Sequence, residues 1–150
     1  MPDLQTGDAM PETTLAGEAG PVQLRARVGK PLVVFFYPKD DTYGCTKEAC
    51  SFRDHYEDFV AAGADVIGVS RDDADSHASF KRTNRLPFAL LTDAGGKVAD
   101  AWGVRGPLGM PGRVTFVFDK GGVVRHKFDS TIRFGKHVEE ALAIVRKLVR

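Results

Sequence analysis

The chain has 150 residues, 43% of them apolar, and a formal net charge of +1. That length buries a core without metal or disulfide staples and predicts one domain over residues 1–150. Lys and Arg alternate with Asp and Glu, no apolar run approaches a membrane span, and Met1–Gln5 is not a basic leader. The expectation is therefore a cytosolic chain that binds neither nucleic acid nor membrane.

In chain order, residues 1–20 form an irregular lead-in with a short strand near Thr14, and Val22-Gln23-Leu24 reads as a second strand before the turn at Gly29-Lys30-Pro31. Leu32–Tyr37 is apolar on both faces, the pattern of a central strand covered on two sides, and Pro38 ends it. Ala49, Phe52, Tyr56, Phe59 and Val60 recur at steps of three and four, which predicts a helix from about Cys45 to Ala62, closed by Gly63. Asp65–Ser70 is another buried strand. Asp72 or Asp73 caps a helix reaching about Asn84, with Ala74, His77 and Phe80 to Lys81 along its inner side. Phe88–Leu91 is a third core strand, and Val98–Trp102 a short helix. Val114–Phe118 and Val123–Phe128, joined by Asp119–Gly122, read as a hairpin. Val138, Leu142, Val145 and Leu148 mark a closing amphipathic helix. Strands separated by helices, with a late antiparallel hairpin, predict an α/β fold of thioredoxin-like plan: a central mixed β-sheet flanked by helices on both faces.

The chemistry concentrates in Pro38–Cys50. Cys45 and Cys50 are the only cysteines, five residues apart, and Cys45 stands where a strand gives way to a helix. The unpaired N–H groups of a first helical turn favour a thiolate, so Cys45 is a candidate nucleophile. Reduction of a peroxide needs such a sulfur together with donors for both oxygens. Thr42 lies three residues upstream with a hydroxyl, Pro38 supplies an apolar wall without an N–H, and the backbone near Gly44 and Cys45 can hold an oxyanion. Lys39 and Lys47 are poor two-pronged donors, whereas Arg113, opening a core strand, carries a planar fork that needs an anionic partner. On an ideal helix, residues five apart have Cα atoms roughly 8.7 Å apart. A disulfide tolerates about 7 Å. Bonding between the two sulfurs would therefore require the intervening turn to unwind, and Thr46 and Gly44, weak helix formers, make the N-terminal end the easier place for it.

These residues resemble the peroxiredoxins, in particular the Q-type or bacterioferritin-comigratory-protein group. The Pro-x-x-x-Thr-x-x-Cys motif matches Pro38, Thr42 and Cys45, the cysteine five positions on matches Cys50, and the arginine before a Val-Thr-Phe strand matches Arg113. The likeness continues through Phe35–Lys39, Gly68-Val69-Ser70, Leu86-Pro87-Phe88, Leu90–Asp93 and Trp102-Gly103-Val104. It implies that Cys45 is peroxidatic and Cys50 resolving, with Thr42, Pro38 and Arg113 completing the site and Gly44, Thr42 and Arg113 touching substrate. It also implies hydrogen peroxide and organic hydroperoxides as substrates, thioredoxin or a similar dithiol protein as reductant, and no metal, flavin or haem. An internal resolving cysteine favours a monomer. Tyr43 departs from a common proline, Thr13 from an aromatic and Trp102 from a tyrosine.

Two other functions compete. A disulfide oxidoreductase of the same fold usually places only two residues between its cysteines, and four favour the peroxidase. A metal module needs ligands at suitable spacing, which His55, His77, His126 and His137 do not supply. These histidines read as ordinary core or surface residues, and Asp72, Asp73 and Asp75 as capping and solvated groups.

Overall fold

The computed structural model describes residues 3–27, 29–40, 42–104, 112–130 and 133–148. The strands are β1 (Thr14–Gly17), β2 (Gly20–Gln23), β3 (Leu32–Phe36), β4 (Asp65–Ser70), β5 (Ala89–Thr92), β6 (Val114–Phe118) and β7 (Val124–Asp129). The helices are α1 (Tyr43–Asp54), α2 (Tyr56–Ala61), α3 (Ala74–Asn84), α4 (Lys97–Trp102) and α5 (Phe134–Leu148). The strands form one mixed sheet in the order β2-β1-β5-β4-β3-β6-β7. Neighbours β3, β4 and β5 run parallel, and the remaining pairs are antiparallel.

All five residues of β3 are buried because the sheet is covered on both faces. Val33, Phe35 and Tyr37 point into a core shared with Ala49 and Phe52 of α1, Phe59 of α2, Phe80 of α3, and Val138, Ala141 and Val145 of α5. Leu32, Val34 and Phe36 point the opposite way, toward Leu4, Met10, Ala99 and Trp102. Ring pairs mark both layers: Phe35 stacks on Phe52 with centroids 4.4 Å apart, and Trp102 meets Phe116 edge-on at 5.3 Å.

The helix expected to run unbroken to Ala62 is interrupted at His55, whose φ of −108° and ψ of 6° leave the helical well. Its ring Nδ1 donates to the Ser51 carbonyl at 3.0 Å, an acceptor it shares with the His55 backbone N–H at 3.3 Å. The break rotates α2, so Val60 is 52% exposed instead of joining the inner face. Ala74 is likewise exposed, while His77 and Phe80 face inward. Leu24 leaves β2 for a single 3₁₀ turn, Leu24–Arg27. β7 begins one residue later than the hairpin pattern indicates, beside a register shift at Val117/Phe118.

Two features place the functional end of the sheet. The parallel strands β3 and β4 deliver their carboxyl ends to the same edge, and α1 starts just beyond β3. Antiparallel β6 begins there, because Val114 pairs with Phe36, so the residue preceding β6 lies beside the start of α1. The packing beneath is tight. A Cβ at Gly68 of β4 would sit 2.8 Å from both Leu90 Cδ2 and Phe35 Cζ. Gly68→Ala should cost about 1–3 kcal/mol through overpacking, read as a lower thermal midpoint; an unchanged midpoint would mean that Phe35 and Leu90 repack freely.

Candidate active site

Cys45 lies in the first turn of α1, 1% exposed, and Arg113 immediately precedes β6, 8% exposed. The strand register closes the 68-residue gap between them: Arg113 Nη1 donates to Cys45 Sγ at 3.4 Å. The same nitrogen donates to Glu48 Oε1 at 3.2 Å. Glu48 follows Cys45 by three residues, so both project from one helix face. Burial pushes Glu48 up to about 8, and the attraction of Arg113 opposes this without cancelling it. The pair has the distance of a salt bridge, and burial holds the carboxyl above the ordinary acidic range. Glu48 Oε2 is 3.4 Å from His137 Nδ1 on α5, a contact without a hydrogen bond.

The remaining predicted residues surround the start of α1. Thr42 is its N-cap, and its carbonyl accepts the first helical bond, from Thr46 N–H at 2.8 Å. The Thr42 side chain does not cap the helix. Its hydroxyl donates to the Lys39 carbonyl at 2.9 Å, so it is not bonded to the sulfur. Gly44 stands half-buried in the first turn, where N–H groups lack intrahelical acceptors, and Pro38 is half-buried just past β3. Both thiols are free. Cys50 is half-buried one and a half turns along α1, with its sulfur toward Asn84 Oδ1 of α3 at 3.7 Å. A cleft of about 340 Å³ lined by Thr42, Tyr43, Thr46, Lys47 and Cys50 opens beside it. A larger cleft of about 880 Å³ between the Gly29–Pro31 and Asp119–Gly121 turns lies at the other end of the strands and contains no cysteine.

The AhpC/TSA family model matches residues 6–127. The chloroplastic peroxiredoxin Q of Oryza sativa subsp. japonica is 50% identical over 145 residues, covering 95% of this chain and 67% of the relative. The chain belongs to the peroxiredoxins. Among solved structures, peroxidoxin BcpB from Mycobacterium tuberculosis superposes with a TM-score of 0.89 at 39% identity, over 97% of this chain and 98% of the other. A Xanthomonas campestris peroxiredoxin Q structure gives 0.83 at 31% identity, over 92% of each chain. The thioredoxin-like fold and the membership of the Q group read from the motifs are thereby shown, and this peroxiredoxin is a thiol peroxidase acting on peroxides.

The cytosolic expectation is corrected by the curated relatives, since the similar peroxiredoxin Q proteins of Oryza sativa and Sedum lineare are chloroplastic. Net charge and cysteine number describe a folded domain and carry no address, so they could not distinguish compartments.

Four buried polar residues of this peroxiredoxin, Glu48, His137, Asp40 and His77, carry no functional signal in the sequence. Glu48 stands outside the motif and His137 reads as an ordinary core or surface residue, yet Glu48 meets Arg113 and His137 meets Glu48. Asp40, 4% exposed, anchors the loop that carries Pro38 and Thr42. Its carboxylate accepts from Tyr37 Oη at 2.5 Å, Ser76 Oγ at 2.9 Å and His77 Nδ1 at 2.7 Å. His77 Nε2 faces the Leu91 carbonyl at 3.1 Å, so both ring nitrogens are held by oxygen atoms of the fold. Asp40 N–H in turn donates to Asp72 Oδ2 at 2.8 Å. Burial and the nearby carboxylate push the Tyr37 phenol well above its ordinary value, keeping it a donor. One signal of burial was present: polar residues inside strongly apolar patterns, Glu48 beside Ala49 and His77 three before Phe80.

Two outcomes follow from these buried groups. Glu48 titrates near 4.5 when unfolded and near 8 when folded, so between those values the folded state holds a proton that the unfolded state has lost. Stability must then fall as pH rises through that window. In Glu48→Gln this component of the slope should vanish, which melting curves across the window will show; parallel profiles would assign Glu48 an ordinary acidity. His77→Leu should cost about 3–5 kcal/mol in urea denaturation by stranding Asp40, with part of the loss returned by adding Asp40→Asn.

Proposed function

We propose that Cys45 is the thiolate that attacks the peroxide and that Cys50 resolves the product. The observation that carries this reading is the guanidinium of Arg113 at 3.4 Å from a sulfur that is otherwise shut away from water. A cation at that distance favours the thiolate, and the first-turn amides add to it. Lys39 engages the proton of the Thr42 hydroxyl, leaving its lone pairs to accept from the incoming O–H. Arg113 and the amides of Gly44 and Cys45 are the donors for the departing oxygen, with Pro38 limiting water.

As the S–O bond forms, the O–O bond breaks. The sulfur is oxidised to a sulfenic acid, and the departing hydroxide or alkoxide takes a proton from water. The Cys50 thiol then displaces the sulfenic oxygen as water, giving a disulfide, and an external dithiol exchanges with it and restores both thiols. Both cysteines occupy α1, so the second step requires the helix to open between them and the Cys50 contact with Asn84 to break. Thioredoxin or a similar dithiol protein is the reductant in this reading. Organic hydroperoxides join hydrogen peroxide as substrates, which the alkyl peroxide reduction of the similar Xanthomonas campestris bacterioferritin comigratory protein supports. An internal resolving thiol lets a monomer complete the cycle, without metal or organic cofactor.

Mass mapping after one equivalent of peroxide tests the assignment better than tryptophan fluorescence, because Trp102 lies on the opposite face of the sheet. A Cys45–Cys50 disulfide is expected. Cys45→Ser should stop peroxide consumption, and Cys50→Ser should accumulate sulfenic and then sulfinic acid at Cys45 while losing turnover with thioredoxin. Undiminished turnover of Cys50→Ser would remove Cys50 from the cycle.

A further inference from the structure

Asp73 caps α3 with its side chain, and the carboxylate of Asp72 beside it turns to other partners. Asp72 is half-buried at the carboxyl edge of the sheet and is held there from two strands. Ser70, the last residue of β4, donates its hydroxyl to Asp72 Oδ2 at 2.6 Å and accepts the Asp72 N–H at 3.1 Å. Thr92, the last residue of β5, donates to the Asp72 carbonyl at 2.7 Å. The same Oδ2 accepts the backbone N–H of Asp40 at 2.8 Å.

That N–H belongs to the peptide plane whose other end is the Lys39 carbonyl, the acceptor of the Thr42 hydroxyl at 2.9 Å. In a planar trans peptide N–H and C=O point in opposite directions, so a bond that fixes one fixes the other. We propose that Asp72 is a positioning residue for the peroxide: through this one peptide it sets the direction of the Thr42 hydroxyl, and with it the lone pairs that take the incoming O–H. Thr42 has this part only in the peroxidase cycle proposed above, on which the role of Asp72 rests. Every link points the same way. The peroxide donates to Thr42, Thr42 donates to Lys39, and Asp40 N–H donates to a carboxylate. Hydrogen bonds aligned in series polarise one another, and the negative charge at the far end makes Thr42 Oγ1 a better acceptor.

Thr42 needs such an outside guide. It is exposed and its hydroxyl does not cap α1, so among the described residues the Lys39 carbonyl is the group that orients it. The Lys39–Asp40 peptide lies between β3 and α1, with no ladder or helix of its own to fix its tilt. The side chain of Asp40 is secured separately by Tyr37, Ser76 and His77, which anchors the Cα at one end of the plane. Asp72 holds the plane itself, and a rotated plane would carry the carbonyl away from Thr42. The carboxyl edge of the sheet thereby reaches the substrate through Ser70, Asp72 and a single backbone amide.

Rapid quenching and mass spectrometry of the reduced full chain give the two rates that separate positioning from folding: oxidation of Cys45, and formation of the disulfide with Cys50 that follows. Asp72→Ala should slow oxidation about tenfold, the weight of one charge-assisted hydrogen bond, and leave disulfide formation unchanged. Asp72→Asn, whose amide oxygen still accepts from Asp40 N–H without the charge, should return oxidation to within about threefold of the native rate. In a Thr42→Val background, itself slow, Asp72→Ala should cost less than about twofold more. Equal losses in both backgrounds, an unchanged oxidation rate, or a like slowing of both steps would leave Asp72 a purely structural residue and overturn the proposal. An unimpaired Thr42→Val overturns the part given to Thr42 and the role of Asp72 with it, whereas loss in Thr42→Val without loss in Asp72→Ala overturns the role of Asp72 alone. Should Asp72→Ala not fold, the Asp40 amide proton decides in nitrogen–proton magnetic resonance spectra. Bonded to a carboxylate it should resonate downfield in the native chain and move upfield in Asp72→Asn, and an unmoved amide overturns the proposal.

Discussion

The contact between Arg113 and Cys45 depends on a sheet register. Five successive residue pairs between β3 and β6, from Leu32–Phe118 to Phe36–Val114, bring the residue before β6 to the place where the chain leaves β3 for α1. A slip by one residue would turn Phe116 and Phe118 out of their core and carry Arg113 to the other face. The hydrophobic alternation that stabilises the sheet therefore also holds a charge against a sulfur. Chemistry at this site inherits the rigidity of the most buried part of the molecule.

The surroundings of that contact are polar but compact. α1 contributes the sulfur and a carboxyl from one face, the approach to β6 contributes the cation, and α5 closes the site with His137. Each group has been moved away from water, which would be costly for isolated charges and becomes tolerable when they compensate one another. In the proposed cycle Arg113 is the cation that compensates the attacking sulfur, and burial holds the neighbouring Glu48 carboxyl above its ordinary range.

A second polar knot serves the opposite flank. Asp40, Tyr37, Ser76 and His77 tie the segment after β3 to the beginning of α3, and Asp72 holds the Asp40 backbone. Pro38 and Thr42 lie on either side of Asp40, so the approach to the sulfur is anchored at its middle. The first turn of α1 is less secured. Thr42 lends its side chain to Lys39 instead of capping, and Tyr43 is 77% exposed. In the proposed cycle the helix opens at this end, while Ala49 and Phe52 remain seated in the core.

Local pattern alone was enough for the strand from Leu32, the hairpin, the α5 stripe and a cap for α3 at Asp72 or Asp73, of which the structure uses Asp73, because period and capping chemistry act over a few residues. It was also enough to single out Pro38, Thr42, Cys45, Cys50 and Arg113, since a short motif carries its own spacing. The break at His55 was hidden, because a side chain competing for the Ser51 carbonyl leaves the apolar period intact. Glu48, Asp40, His77 and His137 were hidden for a different reason. Their importance comes largely from partners distant in sequence, such as His137 beside Thr115 and Glu48, and no local pattern records which buried polar group will meet which. The amino-acid order thus settles which chemistry is present and on which elements. Burial and long-range contact, which exist only after the chain has folded, settle where the charges rest.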